Sequence, residues 1–443
     1  MSRRAHGDRG PPLILGPLVY LLYSFLLAVA LVFSAPFYLW KGRGTGKYLR
    51  TLADRMGRMP EDIPPGRGPS IWIHAVSVGE VLAARILVQP LKARFPGHRV
   101  FVSTTTLTGN AVARETMRDA DGVFFAPFDF KRPVMRVLDR LDPALLVLVE
   151  TEIWPNLIHH ARQRGARIAV VNGRISPRSF PRYRRVRPLL RRVLAEVDLF
   201  LMQGDAHRVR MLEMGAPPER VHVVGNLKYD ALREPETPAA LRRALGQDSP
   251  DPAPLWVAGS TVEGEEEAVL SAFAALRRRH PGARVLIAPR HPERFATVAN
   301  LVARAGLACS RRTLLPDGGW NGGDVLVLDT LGELAQVYPL ATVVFVGGSL
   351  ARAGGHNVLE PAVAGKAIIV GPHMENFQEI ASAFLAEDAL VQVRDAASLT
   401  DAVVRLFDDA PARDALGARA QGIVARNRGA LARTVDALAG LLA

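Results

Sequence analysis

The chain has very little cysteine: Cys309 is the single one among 443 residues. A lone thiol excludes an internal disulfide and is typical of proteins from reducing compartments. The sequence also lacks an H-E-x-x-H segment and any cysteine and histidine cluster with zinc-site spacing. A G-K-[ST] phosphate loop and a G-x-S-x-G nucleophile elbow are absent as well. We therefore expect chemistry that needs no metal and no other cofactor.

Residues 11–40 carry no charged side chain. This run is long enough for a transmembrane helix, because about 20 apolar residues span a bilayer. We predict that residues 1–40 form an N-terminal membrane-anchor helix. Basic residues flank the run, with more of them after it, so the body of the protein should lie on the cytoplasmic side. A signal peptide cleaved near Ala30 is disfavoured, because its apolar region would usually span about 7–15 residues. A helix lying in the membrane interface is the other alternative.

The composition is apolar and basic. Hydrophobic residues make up 49% of the chain, which excludes a disordered protein, and the formal net charge is +13. No RNA-binding aromatic signature or zinc-finger spacing accompanies the arginines. An anionic membrane surface or an anionic substrate is therefore favoured over nucleic acid as the partner.

Short apolar runs alternate with helical patterns along the rest of the chain, which is typical of βα repeats around a parallel sheet. A proline-rich segment without an apolar run of strand length separates two such series. We predict an α/β protein with two doubly wound, Rossmann-like domains whose sheet ends face a cleft. The predicted boundaries are 41–235 for the first domain, 236–254 for a linker and 255–443 for the second domain.

Acidic residues follow two apolar runs of the first domain. Glu80 comes after the run at Ile71–Ile73 and a glycine, at the head of a helical pattern. A carboxylate there either stabilises the helix N-terminus or faces a ligand. Glu150 and Glu152 follow the run that ends at Val149, and paired acids suit general-base catalysis or the binding of sugar hydroxyls.

Glycines and polar residues follow the runs of the second domain. Gly347, Gly348 and Ser349 come directly after one run, and Gly355, His356, Asn357 and Glu360 come shortly after them. Glycines allow backbone N–H groups to approach a phosphate, and a carboxylate one turn later can accept from ribose hydroxyls. Two further run ends carry candidates for a ligand site, namely Ser260 and the pair Arg290 and His291. An arginine suits a phosphate or a carboxylate.

Ten blocks of sequence in one order resemble the 3-deoxy-D-manno-octulosonic acid (Kdo) transferases, which are membrane-anchored glycosyltransferases of the GT-B fold. The blocks are H-A-V-S-V-G-E (74–80), S-T-T-T-L-T-G (103–109), E-T-E-I-W-P-N (150–156), N-G-R-I-S (172–176), G-N-L-K-Y-D (225–230), A-P-R-H-P-E-R-F (288–295), D-T-L-G-E-L (329–334), F-V-G-G-S-L (345–350), G-G-H-N-V-L-E-P (354–361) and G-P-H-M-E-N-F (371–377). One departure is Val262, where the family usually has histidine.

The resemblance implies inverting transfer of Kdo from CMP-Kdo to a lipid A precursor (lipid IVA) in lipopolysaccharide core biosynthesis, at the bacterial inner membrane. Glu80 matches the proposed general base. The donor-binding residues implied in the second domain are Ser260, Arg290, His291, Gly347, Gly348, Ser349, Gly355, His356, Asn357 and Glu360. The candidates for acceptor binding are Glu150, Glu152, Arg174 and Arg178.

Two other functions are open on the sequence. A nucleotide-sugar epimerase of the GT-B fold would carry similar loops, but such enzymes are soluble, whereas residues 11–40 are uncharged. A membrane-tethered scaffold that binds anionic lipid would fit the basic surface, but it would not require glycines and acids at so many strand ends.

Overall fold

The computed structural model describes residues 15–42, 51–66, 68–232, 234, 236–316, 319–320 and 322–442, and in the first helix it describes the side chains of residues 19–34. The basic residues predicted to flank the uncharged run at 1–14 and 43–50 lie outside this part of the chain. The protein forms two compact units, Met1–Ala231 with Arg428–Ala443, and Leu232–Asn427.

The first unit alternates strands and helices. Its strands are β1 (Ser70–His74), β2 (Arg99–Thr104), β3 (Gly122–Phe125), β4 (Pro143–Val149), β5 (Arg167–Gly173), β6 (Leu199–Met202) and β7 (Val221–Val223). Its helices are α1 (Leu15–Gly42), α2 (Leu52–Arg55), α3 (Val78–Arg94), α4 (Leu107–Thr116), α5 (Lys131–Leu141), α6 (Pro155–Gln163), α7 (Phe180–Arg185), α8 (Arg187–Leu194), α9 (Asp205–Met214), α10 (Leu227–Asp230) and the C-terminal α19 (Ala430–Leu442).

The seven strands form one parallel sheet in the order β3-β2-β1-β4-β5-β6-β7. Ile73 of β1 is in register with Val102 of β2 on one side and with Val147 of β4 on the other. Trp72 packs into the core on one face, while Ile73 belongs to the core on the opposite face. Because both faces are covered, the strands consist of nearly continuous apolar residues, which explains why the sequence located them.

The second unit has the same architecture. Its strands are β8 (Leu255–Thr261), β9 (Arg284–Pro289), β10 (Cys309–Arg311), β11 (Val325–Val327), β12 (Val343–Val346), β13 (Ala367–Val370) and β14 (Val391–Gln392). Its helices are α11 (Ala239–Ala244), α12 (Glu266–Arg279), α13 (Phe295–Arg304), α14 (Leu334–Val337), α15 (Leu359–Val363), α16 (Gln378–Ala386), α17 (Ala396–Asp408) and α18 (Ala410–Asn427). The parallel strands are ordered β10-β11-β9-β8-β12-β13-β14.

Strand order reverses once in each sheet, between β1 and β4 in the first and between β8 and β12 in the second. Open parallel sheets bind ligands beyond the carboxyl ends of the strands at such a switch point. Glu80 and Glu150 follow the two switch strands of the first sheet. In the second sheet Ser260 lies near the end of β8, and Gly347 follows β12. The topology therefore brings the predicted residues of each unit to one edge of its own sheet.

One side of the first helix, α1, packs against the rest of the first unit. The Tyr20 hydroxyl donates to Glu196 at 2.6 Å, and the Asn156 amide donates to the Ser24 hydroxyl at 3.0 Å. The other side of the helix exposes large apolar side chains, namely Leu21, Leu22, Phe25, Leu26, Val32 and Phe33. Among the residues that the structure describes, no helix has the length and apolar character needed to cross a membrane.

Two boundaries differ from the predicted ones. The segment predicted as a linker, 236–254, lies in the second unit and contains α11, whose Leu241 is buried. The last helix, α19, belongs to the first unit and not to the second. The Asp230 carboxylate accepts from the N–H groups of Gly429 and Leu431, at 2.7 and 2.8 Å, and so fixes the start of that helix.

Candidate active site

Glu80 lies in the first turn of α3, which begins where β1 ends. Ser77 is the N-cap residue, and its side-chain oxygen accepts from the Glu80 N–H. In return the Glu80 carboxylate accepts from the Val76 N–H and from the Ser77 hydroxyl, both at 2.7 Å. This reciprocal arrangement resembles a capping box and leaves Glu80 only 7% exposed. The carboxylate is thus held at the start of its own helix, and each oxygen retains one further lone pair.

Burial raises the pKa of Glu80 to about 7. The hydrogen bonds from Val76 and Ser77 act in the opposite direction, while the charges of Glu152 and Glu150 raise the pKa further. The three carboxyl groups therefore lie close enough to influence one another. A carboxyl group with a pKa near neutrality exchanges a proton readily under physiological conditions, as a general base requires.

Glu150 follows β4 with a φ of +61°, in the left-handed region that favours glycine. Two cations approach its carboxylate: Arg174 Nη1 is 3.8 Å from one oxygen, and Lys228 Nζ is 3.7 Å from the other. No role was predicted for Lys228 from the sequence. The available signal was its place in the G-N-L-K-Y-D block, shortly after strand β7.

An aromatic pair supports the second acid of this loop. Trp154 Nε1 donates to Glu152 at 2.7 Å, and the rings of His74 and Trp154 meet in a T-shaped contact with centroids 4.7 Å apart. Burial raises the pKa of Glu152, against the effect of the Trp154 hydrogen bond. Burial also lowers the pKa of His74 to about 3, so that its ring is neutral. The last residue of β1 thus supports the loop that follows β4.

Of the two predicted arginines, Arg174 approaches Glu150 and Arg178 does not. Arg178 is exposed in the segment between β5 and α7. No bond between described residues links it to Glu150 or Glu152. Its assignment to the acceptor stays a prediction.

The loop after β12 has a fixed backbone path in the second unit. Gly347 N–H donates to the Gly259 carbonyl at 2.8 Å, and Gly348 N–H donates to the Glu265 carboxylate at 2.7 Å. A Cβ at Gly347 would lie 2.6 Å from the Ser260 carbonyl oxygen, so only glycine fits there. The buried Ser349 hydroxyl donates to the Val346 carbonyl oxygen and accepts from the N–H group of Gly371, which follows β13. Both glycine N–H groups thus have partners within the protein, and the predicted donor contacts cannot depend on their being free.

The second glycine loop packs on the first. Gly355 N–H donates to the Gly348 carbonyl at 2.7 Å, and a Cβ at Gly348 would lie 2.6 Å from His356 Nε2. The Asn357 side chain donates to Glu360 at 3.1 Å. Burial raises the pKa of Glu360, while that bond and Arg290 lower it. The helix that follows, α15, begins at Leu359, two residues after Asn357, and has only five residues.

Burial lowers the pKa of His356 to about 4, and the charges of Arg290 and His291 lower it further. Arg290 and His291 are exposed at the end of β9, and the Arg290 N–H donates to the Thr261 carbonyl at 2.9 Å. Ser260 has a φ of +56° at an irregularity between β8 and β9. The structure therefore brings Arg290, His291, His356 and Glu360 into one polar group, with Ser260 on an adjacent strand end.

Comparison with known proteins identifies the family. A family model described as 3-deoxy-D-manno-octulosonic-acid transferase (kdotransferase) matches residues 50–231. The chain is 35% identical over 399 residues to the 3-deoxy-D-manno-octulosonic acid transferase of Haemophilus influenzae, covering 88% of this chain and 91% of that protein. The chain belongs to the Kdo transferase family. The enzyme of the same name from Bordetella pertussis is 36% identical over 408 residues, or 89% of this chain and 93% of that protein.

The predicted fold class of this Kdo transferase is confirmed for its two Rossmann-like units. Among solved structures, MurG from Acinetobacter baumannii is similar with a TM-score of 0.54 at 12% identity, covering 84% of this chain and 99% of that chain. At that identity the likeness concerns the fold alone. The sequence relatives carry the function: the protein is a glycosyltransferase that transfers Kdo in lipopolysaccharide biosynthesis. The epimerase and scaffold alternatives are thereby set aside.

Proposed function

We propose that this Kdo transferase moves Kdo from CMP-Kdo to a phosphorylated lipid A precursor, lipid IVA, with inversion at the anomeric carbon and with Glu80 as the general base. The observation that carries the proposal is the placement of Glu80. It is buried beyond a switch-point strand, its pKa is raised to about 7, and two further acids adjoin it. A base is most effective when its pKa lies near the working pH.

The proposed step is a single displacement. The acceptor hydroxyl oxygen bonds to the anomeric carbon of Kdo as the bond from that carbon to the CMP phosphate oxygen breaks. The hydroxyl proton passes to Glu80, and CMP leaves with the electron pair of the broken bond. Val76 and Ser77 orient the carboxylate for this transfer, because each holds one of its oxygens by a hydrogen bond.

For the acceptor, the first unit offers acids and bases side by side. Glu150 and Glu152 can accept from sugar hydroxyls, while Arg174 and Lys228 place positive charge beside them. Exposed arginines that follow β5 are candidates for the acceptor phosphates: Arg178, Arg182, Arg184 and Arg185. Arginine suits this role because its planar guanidinium group binds a phosphate in bidentate fashion.

For the donor, we assign the polar group of the second unit. Arg290 and His291 are exposed and would hold the CMP phosphate, whose charge grows as the glycosidic bond breaks. Glu360, oriented by Asn357, would accept from ribose hydroxyls. The two glycine loops and Ser260 would supply the shape of the site, since the N–H groups of Gly347, Gly348 and Gly355 already have partners within the protein.

We further propose that α1 attaches the enzyme to the cytoplasmic face of the bacterial inner membrane. Tyr20 and Ser24 bind the first unit, whereas the opposite side of the helix is apolar and exposed, with Phe33 at 81%. This two-sided character favours a helix lying in the membrane interface over one that spans the bilayer.

The test is incubation of the full-length protein with lipid IVA and CMP-Kdo, followed by mass spectrometry of the lipid. We expect the lipid mass to rise by one or more Kdo residues. A second CMP-sugar, CMP-N-acetylneuraminate, serves as the donor control and should give no product. An unchanged lipid, in a preparation that binds CMP-Kdo, would contradict the proposed acceptor.

A further inference from the structure

Glu265 is a fully buried carboxylate in the turn before α12. Its two oxygens accept from four backbone N–H groups, at distances between 2.7 and 3.1 Å. The donors are Val262 in its own turn and three residues of the loop after β12, namely Gly348, Leu350 and Ala351. One side chain therefore fixes most of the glycine loop.

No basic side chain is bonded to Glu265 in the part of the chain that the structure describes. The nearby Arg294 pairs with Glu266 at 3.1 Å and approaches Glu263 instead. A buried carboxylate is costly unless hydrogen bonds replace the water it has lost. Since N–H groups are the donors here, the loop must keep the backbone path that turns them inward.

The same path sets the position of His356. The Gly348 peptide that donates to Glu265 through its N–H accepts from Gly355 through its carbonyl oxygen. The His356 ring lies against the α-carbon of Gly348, with room for nothing larger than glycine. A shift of the first loop would therefore move the second loop, which carries His356 and leads to Glu360.

We propose that Glu265 is a positioning residue for the donor: it holds the loop 347–351 in place and, through it, His356 and Glu360. The inference rests on the proposed assignment of CMP-Kdo to the second unit. Glu265 itself does not touch the donor, because both its oxygens face backbone N–H groups. Its removal should therefore weaken donor binding without changing the proton transfer at Glu80.

The variant Glu265→Gln tests this inference. Glutamine has one acceptor oxygen in place of two, so the loop loses part of its hydrogen bonding. We expect KM for CMP-Kdo to rise about 10- to 100-fold, which corresponds to the loss of one or two buried hydrogen bonds. kcat and the KM of the lipid acceptor should stay close to the wild-type values. The matched control is Glu267→Gln, which changes an exposed glutamate in the first turn of α12 and should behave as wild type.

A wild-type KM for CMP-Kdo in Glu265→Gln would overturn the inference. So would an equal loss for both substrates together with an early melting transition, since that pattern indicates a general defect of folding.

Hydrogen exchange of the wild-type protein gives a second test, which holds even if the variant fails to fold. The N–H groups of Gly348, Leu350 and Ala351 should exchange slowly without ligand and equally slowly with saturating CMP. Fast exchange without ligand would overturn the role of Glu265. A different result would be that CMP slows exchange in the loops after β1 and β4 but not around 289–291 or 356–360. In that case the donor assignment fails, and the inference fails with it. Protection of 289–291 and 356–360 with a wild-type KM in the variant would overturn the inference alone.

Discussion

Replacing Glu80 by glutamine removes the proposed base while it keeps the size of the side chain. The glutamine oxygen can still accept from Val76 or Ser77, so the start of α3 should hold. A general base typically contributes a factor of about 10²–10⁴ to the rate. We therefore expect kcat for Kdo transfer to fall by that factor in Glu80→Gln, with KM for CMP-Kdo unchanged.

The stability of the Glu80→Gln variant should exceed that of the wild type, but only at high pH. Because the folded-state pKa of Glu80, about 7, lies above the ordinary 4.5, the folded state binds the proton more tightly than the unfolded state. The bound proton therefore stabilises the folded state fully below the ordinary pKa, and this stabilisation is lost as the pH rises through about 7. The difference between the two pKa values corresponds to ~3 kcal/mol of folding free energy. Glutamine has no such dependence, because it is uncharged at every pH. The variant should thus melt at a higher temperature than wild type near pH 9 and at a similar one near pH 4.

The assays are transfer from CMP-Kdo, with the lipid product quantified, and thermal unfolding at both pH values. Glu213→Gln is the control, because Glu213 is an exposed glutamate on α9 of the same unit. Near-normal transfer by Glu80→Gln would refute the assignment of the base. A variant less stable than wild type at both pH values would show that Glu80 acts mainly as a helix cap.

Three further predictions concern the donor residues, the packing of the second unit and the first helix. Arg290→Gln should raise KM for CMP-Kdo at least tenfold with kcat little changed, whereas Arg304→Gln, an exposed control on α13, should not. Gly259→Ala should lower the unfolding temperature by an amount equivalent to ~1–3 kcal/mol, because the new Cβ would lie 2.5 Å from Tyr338 Oη, and Tyr338→Phe in the same chain should restore most of it. Phe25→Glu should reduce co-sedimentation with anionic vesicles several-fold, since Phe25 is exposed on the apolar side of α1, and unchanged binding would contradict the membrane role of that side.

The positions of most strands could be predicted from the sequence, because strands buried on both faces form continuous apolar runs. Strand β10 could not be predicted in this way. It has three residues, Cys309–Arg311, all of them half-buried at the edge of the sheet, so it has no apolar run to recognise. Cys309 itself is only half-buried and packs against the edge of the core.

What could not be predicted depends on contacts between residues far apart in the chain. The bonds of Glu265 reach 83 to 86 residues ahead, and those of Asp230 reach about 200 residues to the last helix. Helix periodicity identifies the apolar face of such a helix but not the unit that covers it. The direction of the Glu80 carboxylate was open for another reason: a cap and a base require the same residue at the same place in a helix.

The most direct measurement of the central claim is the pH dependence of kcat/KM for Kdo transfer, in wild type and in Glu80→Gln. Wild-type kcat/KM should rise with pH and level off above a pKa of about 7, as the carboxylate becomes available to accept the proton. The residual activity of the variant should lack that rise. A flat wild-type profile, or the same rise in Glu80→Gln, would contradict the claim that Glu80 is the base.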